Sequence, residues 1–146
     1  MNSAVQTEIF ISRSPEETLE FAKQFSQSLK AGDIVALIGN LGSGKTIFVK
    51  GICNGLNAGQ NPLSPTFSII NEYIGKYTIY HIDFYRIKDK EELYDIGYED
   101  YFNDESICLI EWADMFIEIL PEDHIEVKIE FGSDDLERVI TIQRKK

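Results

Sequence analysis

One glycine-rich segment constrains the fold more than any other part of the sequence. Residues 39–46, Gly39-Asn40-Leu41-Gly42-Ser43-Gly44-Lys45-Thr46, fit the pattern Gly-x-x-x-x-Gly-Lys-[Ser/Thr]. The apolar, largely β-branched run 34–38 precedes the segment and is typical of a strand covered on both faces. Apolar residues at helical spacing follow it, from Ile47 to Leu56. This strand–loop–helix unit predicts an α/β, P-loop NTPase-like fold.

The chemistry of such a loop explains its composition. Glycines permit the dihedral angles and the close approach that backbone N–H groups need to surround a phosphate. The N-terminus of the helix adds unpaired donors and a partial positive charge. Lys45 is then placed to reach the β- and γ-phosphates, and the Thr46 hydroxyl to ligate Mg²⁺. We therefore predict a nucleoside triphosphate and magnesium site with a defined set of binding residues: Asn40, Leu41, Gly42, Ser43, Gly44, Lys45 and Thr46.

Composition limits the remaining choices. The 146 residues suit a single small domain over residues 1–146, and the two cysteines, Cys53 and Cys108, are expected to be reduced, buried thiols. A formal net charge of −11 opposes a large direct nucleic-acid footprint. The start of the sequence is polar and no apolar run approaches the roughly 20 residues of a membrane span. We expect a cytoplasmic protein with no membrane partner.

The other elements follow from capping and alternation patterns. Capping boxes at Ser14-Pro15-Glu16-Glu17 and at Asp89-Lys90-Glu91-Glu92 predict two further helices, the second running toward Ile96 and ending at Gly97. Strands are predicted over 66–73 and 77–85 as one hairpin, over 107–110, and over 125–131 and 138–143 as a second hairpin. Together these elements predict a mixed central sheet with flanking helices.

Two acids follow predicted strands and could complete the loop. Glu111 follows the apolar run 107–110, and Asp83 closes Tyr80-His81-Ile82-Asp83. An acid at such a strand end holds magnesium or orients the attacking water. The candidate metal ligands are thus Thr46, Glu111 and Asp83, and the candidate catalytic residues are Lys45, Asp83 and Glu111. The alternatives are a solvated strand end for Glu111 and an ion pair with Arg86 for Asp83.

Four further positions have two interpretations each. His81 is a hydrogen-bonded core residue or a catalyst, with the first favoured. Arg86 is a structural ion-pair partner or a stabiliser of γ-phosphate charge. Trp112 packs over the nucleotide or in the core. Ser64-Pro65-Thr66 is a simple turn or a switch that senses the γ-phosphate.

Four segments in this order and spacing resemble the TsaE (YjeE) family: 39–46, Ser64-Pro65-Thr66-Phe67, 80–86 and Leu109-Ile110-Glu111-Trp112. The resemblance implies ATP and Mg²⁺ as ligands, with Glu111 as a magnesium ligand and Asp83 as a second acid near the metal or the water. It also implies that Thr66 lies in a switch-like segment, and that Trp112 and Asp114 lie at the nucleotide. Asn40 stands where many relatives have an acid, and Ile47 where a second threonine is frequent.

The resemblance also implies a role. Proteins of this family act with two partners, TsaB and TsaD, in threonylcarbamoyladenosine synthesis at position 37 of tRNA, and their ATP hydrolysis resets that complex. The tRNA would be met through the partners, and the isolated chain is expected to be a monomer. The competing hypotheses are a nucleotide-gated adaptor with incidental hydrolysis, a small-molecule kinase and a GTPase-like switch. The scattered arginines disfavour the kinase, and the absence of Asn-Lys-x-Asp disfavours the GTPase.

Overall fold

The computed structural model describes residues 6–40, 42–58 and 70–145. Within these ranges the chain forms one mixed β-sheet flanked by helices. The strands are β1 (Gln6–Ser12), β2 (Ile34–Gly39), β3 (Ile70–Ile74), β4 (Thr78–Asp83), β5 (Ser106–Glu111), β6 (His124–Phe131) and β7 (Arg138–Lys145). The α-helices are α1 (Pro15–Ser26), α2 (Lys45–Gly55) and α3 (Lys90–Asp95), and short 3₁₀ segments cover Phe84–Arg86, Tyr98–Tyr101 and Ala113–Ile119.

The strand that leads into the glycine-rich loop lies in the middle of the sheet. The order is β1-β7-β6-β2-β5-β4-β3, and β2 runs parallel to both β5 and β6. β4 is parallel to β5, with Asp83 in register with Glu111. Since the carboxyl ends of parallel strands meet at one edge of a sheet, the ends of β2, β4 and β5 lie together.

Each face of the sheet packs against its own layer. Alternation along β2 sends Val35 and Leu37 into the core beneath α1 and α2, and Ile34 and Ala36 into the opposite core with Leu93 of α3. All six residues of β5 are buried, as expected for a parallel strand covered on both sides. The sheet is thus fixed rigidly between two layers, and its carboxyl edge is held in place.

The capping signals act as the sequence predicts. The Ser14 side chain accepts from the Glu17 backbone N–H at 3.1 Å, and Pro15 occupies the first turn of α1. Asp89 caps α3 in the same way, accepting from the Glu92 N–H at 3.1 Å. Gly97, with φ 71°, follows α3 in the left-handed region that favours glycine.

Most predicted elements are confirmed, and two differ. The predicted strand 77–85 ends at Asp83, because the Asp83 side chain caps the 3₁₀ turn that follows by accepting from the Tyr85 N–H at 3.0 Å. β1 was not predicted; it is an edge strand that pairs with β7 from the other end of the sequence. The predicted strand residues 66–69 lie outside the described ranges. Both cysteines are free and buried, as expected.

Candidate functional site at the carboxyl edge of the sheet

The glycine-rich loop adopts the backbone that its glycines permit. Gly42 and Gly44 have φ 80° and 112°, and Gly44 is the N-cap of α2. A Cβ on Gly39 would lie 2.5 Å from the Ile129 carbonyl oxygen and 2.6 Å from Ser43 Oγ, so no side chain fits there. The loop therefore begins where β2 packs closely against β6. Leu41, a predicted loop contact, lies outside the described residues.

Lys45 is an ammonium group held almost out of water. The residue is only 5% exposed, and its Nζ donates to the Gly39 carbonyl at 2.6 Å and to the Asn40 carbonyl at 3.0 Å. The same atom lies 4.0 Å from the centre of the Trp112 ring. Burial lowers the pKa of Lys45, while the negative charges of Glu111, Asp114 and Asp83 act in the opposite direction. The lysine is thus anchored inside the loop that it was predicted to serve.

Glu111 is the acid that contacts Thr46, the last residue of the glycine-rich segment. Its Oε1 lies 3.3 Å from the Thr46 hydroxyl, which joins the first turn of α2 to the end of β5. The residue is only 6% exposed, so the solvated strand end considered from the sequence is wrong for this position. A buried carboxylate needs hydrogen-bond partners, and Thr46 is one of them.

His81 supplies the second partner of Glu111. Its Nε2 lies 2.7 Å from Glu111 Oε2, and its Nδ1 lies 3.3 Å from the Tyr73 hydroxyl. Because a carboxylate only accepts, the Nε2–H donates to it. His81 is therefore the hydrogen-bonded residue favoured from the sequence, with Glu111 as the group it orients. Sequence patterns do not reveal that pairing, since 30 positions separate the two residues.

Asp83 lies at the end of β4, beside Glu111 at the end of β5. Burial raises the pKa of Asp83, the hydrogen bond from the Tyr85 backbone lowers it, and the neighbouring Glu111 charge raises it further. Arg86 Nε lies 3.8 Å from Asp83 Oδ2, so the ion pair weighed from the sequence is present. Asp83 nevertheless lines the same cleft as Lys45 and Thr46.

Trp112 lines the site and packs against the core that contains Leu93 of α3. Its backbone is in the left-handed region, with φ 59° and ψ 38°, which is uncommon for a bulky residue. Its ring packs against Tyr85, with 4.8 Å between the ring centres. Asp114, predicted to contact the nucleotide, is exposed on the following 3₁₀ segment. Its negative charge acts to raise the pKa of Lys45.

These side chains surround one cleft of about 690 Å³, here called the carboxyl-end cleft. Its walls come from the loop and α2, from the ends of β4 and β5, and from Tyr85 and Arg86 of the intervening 3₁₀ turn. Seven predicted site residues line it: Gly42, Gly44, Lys45, Thr46, Asp83, Glu111 and Trp112. Asn40 contributes a carbonyl to Lys45, and Ser43 is buried within the loop. Thr66 lies outside the described residues.

The donor set suits magnesium better than a transition metal. Among the described residues, no group of three or more His, Cys, Asp and Glu side chains could by itself hold a metal ion. The hydroxyl of Thr46 and the carboxylates of Glu111 and Asp83 are hard oxygen donors. Mg²⁺ prefers such ligands and commonly keeps waters and substrate phosphates in its other positions.

Arg138, at the start of β7, is a site residue that sequence reasoning missed. Its guanidinium donates to the backbone carbonyls of Ser43 at 3.2 Å and Gly42 at 3.4 Å. The contact joins positions 95 apart, and its acceptors are backbone atoms, so no side-chain motif could reveal it.

The fold and the loop define the class as an α/β protein of the P-loop NTPase-like type. The family model described as "Threonylcarbamoyl adenosine biosynthesis protein TsaE" matches residues 12–140. The chain therefore belongs to the TsaE family, whose named members are tRNA threonylcarbamoyladenosine biosynthesis proteins. The resemblance drawn from four sequence segments is confirmed.

Individual relatives agree over most of the chain. TsaE of Bacillus subtilis is 43% identical over 129 residues, covering 88% of this chain and 80% of the relative. TsaE of Rickettsia prowazekii is 41% identical, covering 90% of this chain and 92% of the relative. The crystal structure of YdiB from Bacillus subtilis superimposes with a TM-score of 0.83 at 35% identity, over 99% of this chain and 90% of the other. No helix in the described ranges is long and apolar enough to span a membrane.

Proposed function

We propose that this chain binds ATP with Mg²⁺ in the carboxyl-end cleft and hydrolyses it, and that hydrolysis resets a TsaB–TsaD-like complex that makes threonylcarbamoyladenosine in tRNA. The observation that carries the proposal is the approach of the Thr46 hydroxyl to Glu111 at 3.3 Å. It brings a hydroxyl at a helix N-terminus and a strand-end carboxylate together beside a glycine-rich loop. That juxtaposition is what phosphoryl transfer with magnesium requires.

The loop and Lys45 would bind the phosphates. The left-handed glycines at 42 and 44 leave backbone N–H groups free of side-chain obstruction at the start of α2, where the helix dipole favours an anion. The Lys45 ammonium donates to two loop carbonyls and lines the cleft in which the phosphates would bind. Exchanging those neutral carbonyls for phosphate oxygens puts a charge on the acceptor as well as on the donor, which strengthens the hydrogen bonds.

Thr46 and Glu111 would hold the magnesium ion, with Asp83 as the third oxygen donor beside them. Bound there, the metal would neutralise charge that develops on the phosphates. Glu111 is pre-oriented for this task because His81 fixes one of its carboxylate oxygens and leaves the other toward Thr46. Asp83 is alternatively placed to accept a hydrogen bond from an attacking water and align it with the phosphate.

The partner dependence rests on charge and on the family. The sequence contains four arginines, and Arg86 is the one that lines the cleft. A site with so little positive charge for the transition state is expected to turn over slowly alone. The relatives are named for a tRNA modification, yet the net charge of −11 favours protein partners over direct tRNA binding.

An ATPase assay with and without the host's TsaB and TsaD homologues tests the proposal. We expect slow, magnesium-dependent hydrolysis by the isolated chain and faster hydrolysis with both partners. A pull-down in ATP and in ADP should show nucleotide-dependent association. Brisk hydrolysis unaffected by partners would contradict the reset role, and association gated by ATP without any turnover would favour the adaptor hypothesis.

A further inference from the structure

Arg138 joins the C-terminal hairpin to the glycine-rich loop through backbone acceptors. Besides Gly42 and Ser43, its guanidinium donates to the carbonyls of Asp135 at 2.7 Å and Glu137 at 2.9 Å. The group also lies 4.8 Å from the centre of the Phe131 ring. The planar fork of arginine can make bonds in several fixed directions at once, as here.

The two loop carbonyls matter because of the peptide groups they belong to. The Ser43 carbonyl shares a planar trans peptide with the Gly44 N–H, so the two groups point in opposite directions. A donor that holds the carbonyl therefore directs the Gly44 N–H away from Arg138. The Gly42 carbonyl likewise shares a peptide with the Ser43 N–H, which donates to the Asn40 carbonyl at 3.0 Å.

The turn that precedes Arg138 is itself held by several hydrogen bonds. Gly132 N–H donates to the Glu137 carbonyl at 2.8 Å, and Glu137 Oε1 accepts from the Ser133 N–H at 2.8 Å. Asp134 Oδ1 accepts from the Leu136 and Glu137 N–H groups, both at 3.0 Å. The turn between β6 and β7 therefore presents Arg138 from a fixed backbone rather than from a loose loop.

We propose that Arg138 is a positioning residue that clamps the glycine-rich loop in its phosphate-binding conformation; this rests on the proposed ATP-binding function. Glycine peptides are the most flexible in a chain, and their ordering on binding costs free energy. Because the clamp orders the loop before the nucleotide binds, less free energy is lost on binding. Arg138 therefore increases the affinity for the phosphates without contacting them. The C-terminal hairpin, which carries no predicted site residue, thereby becomes part of the binding machinery.

The test compares Arg138→Gln with Arg144→Gln. Both arginines lie on β7, but Arg144 is near the far end of the strand, where it donates to Ser28 Oγ at 2.6 Å. Each variant loses one positive charge from the same strand. We expect Arg138→Gln to weaken ATP and ADP binding about tenfold in titration calorimetry, and Arg144→Gln to leave both affinities unchanged. Thermal unfolding of both variants checks the fold.

Two further measurements separate a clamp from a structural or purely electrostatic role. The backbone amide NMR signals of Ser43 and Gly44 should shift in Arg138→Gln and stay in place in Arg144→Gln, with no nucleotide present. Arg138→Lys keeps the charge but not the fork, and should recover only part of the affinity; full recovery would overturn the clamp. Equal affinities in the two Gln variants, or undisturbed loop amides in Arg138→Gln, would overturn it too.

The outcomes also keep this inference apart from the proposed function. A wild-type chain that binds neither ATP nor ADP would defeat the proposed function, while the amide signals would still decide whether Arg138 holds the loop. If Arg138→Gln fails to fold, Arg138→Lys provides both the affinity and the amide measurement.

Discussion

Two clefts lie at opposite ends of the sheet, and they differ in how exposed their side chains are to solvent. The carboxyl-end cleft has a volume of about 690 Å³, and the amino-end cleft, lined by Lys30, Asp33, His124, Arg144 and Lys145 among others, about 750 Å³. In the first, Lys45 and Glu111 are 5% and 6% exposed. In the second, every one of the named side chains keeps more contact with solvent. Similar volumes therefore have very different chemistry.

The topology explains the difference. The carboxyl ends of parallel strands β4 and β5 direct Asp83 and Glu111 to one place, opposite the start of α2. At the amino end, several charges have local partners that satisfy them: Lys145 Nζ lies 2.9 Å from Glu126 Oε1, and Arg144 donates to Ser28. Buried charge that converges on a shared space, rather than cleft size, distinguishes the candidate site.

The largest expected effect is the loss of ATP affinity when the lysine of the carboxyl-end cleft is removed, with a lysine of the amino-end cleft as the control. Lys45→Ala removes the ammonium that reaches the phosphates and should reduce ATP affinity by about a hundredfold or more, with the fold retained. Lys30→Ala in the amino-end cleft should leave affinity unchanged. Titration calorimetry with Mg-ATP measures both. Unchanged binding by Lys45→Ala would refute the assignment of the site.

The next largest effect is expected on magnesium-dependent turnover, from a comparison of one carboxylate in each cleft. Glu111→Gln can keep the hydrogen bond to Thr46 but loses the charge that would hold magnesium, so magnesium-dependent turnover should fall by about a hundredfold. Asp33→Asn, whose carboxylate accepts from the Lys30 N–H at 2.9 Å, is the control and should turn over normally. Circular dichroism should show both variants folded. Unfolding of Glu111→Gln would instead mean that the residue is mainly structural.

The histidines sharpen the comparison further. His81→Phe keeps a ring at the position but removes the donor to Glu111, so the magnesium concentration for half-maximal turnover should rise by about tenfold. His124→Phe removes a contact of Nδ1 with the Pro121 carbonyl, 2.8 Å away, and should leave the magnesium dependence unchanged. Should the two variants behave alike in a magnesium titration, His81 does not orient Glu111.

The smallest effect is expected from buried groups that face neither cleft. Burial raises the pKa of Cys53 to about 12, and it raises the pKa of Cys108 as well. Well below its pKa the thiol keeps its proton, so at pH 8 Cys53 is almost entirely the unreactive thiol. Ellman's reagent should leave both thiols unmodified in the native protein and react with both in guanidinium chloride. Rapid reaction in native buffer would show that the core opens readily.

The sequence predicts the parts of this fold and site that local patterns encode. The loop, the caps at Ser14 and Asp89, and the acid after the apolar run 107–110 each follow from neighbours along the chain. β1 was not predicted because it is an edge strand whose residues are mostly exposed, so it has no regular alternation of apolar and polar residues. The bonds from His81 to Glu111 and from Arg138 to Ser43 could not be predicted, since tertiary structure alone brings those groups together.

The central position of β2 has a consequence for how the chain is made. Its two neighbours, β5 (Ser106–Glu111) and β6 (His124–Phe131), come much later in the sequence. Ribosomes add about 5–20 residues per second, so the apolar strand that leads into the loop waits several seconds for either partner. Before then, α1 can pack against α2, and β3 can pair with β4. A nascent chain stopped before Ser106 would carry an unpaired apolar strand, the kind of segment that chaperones protect from aggregation.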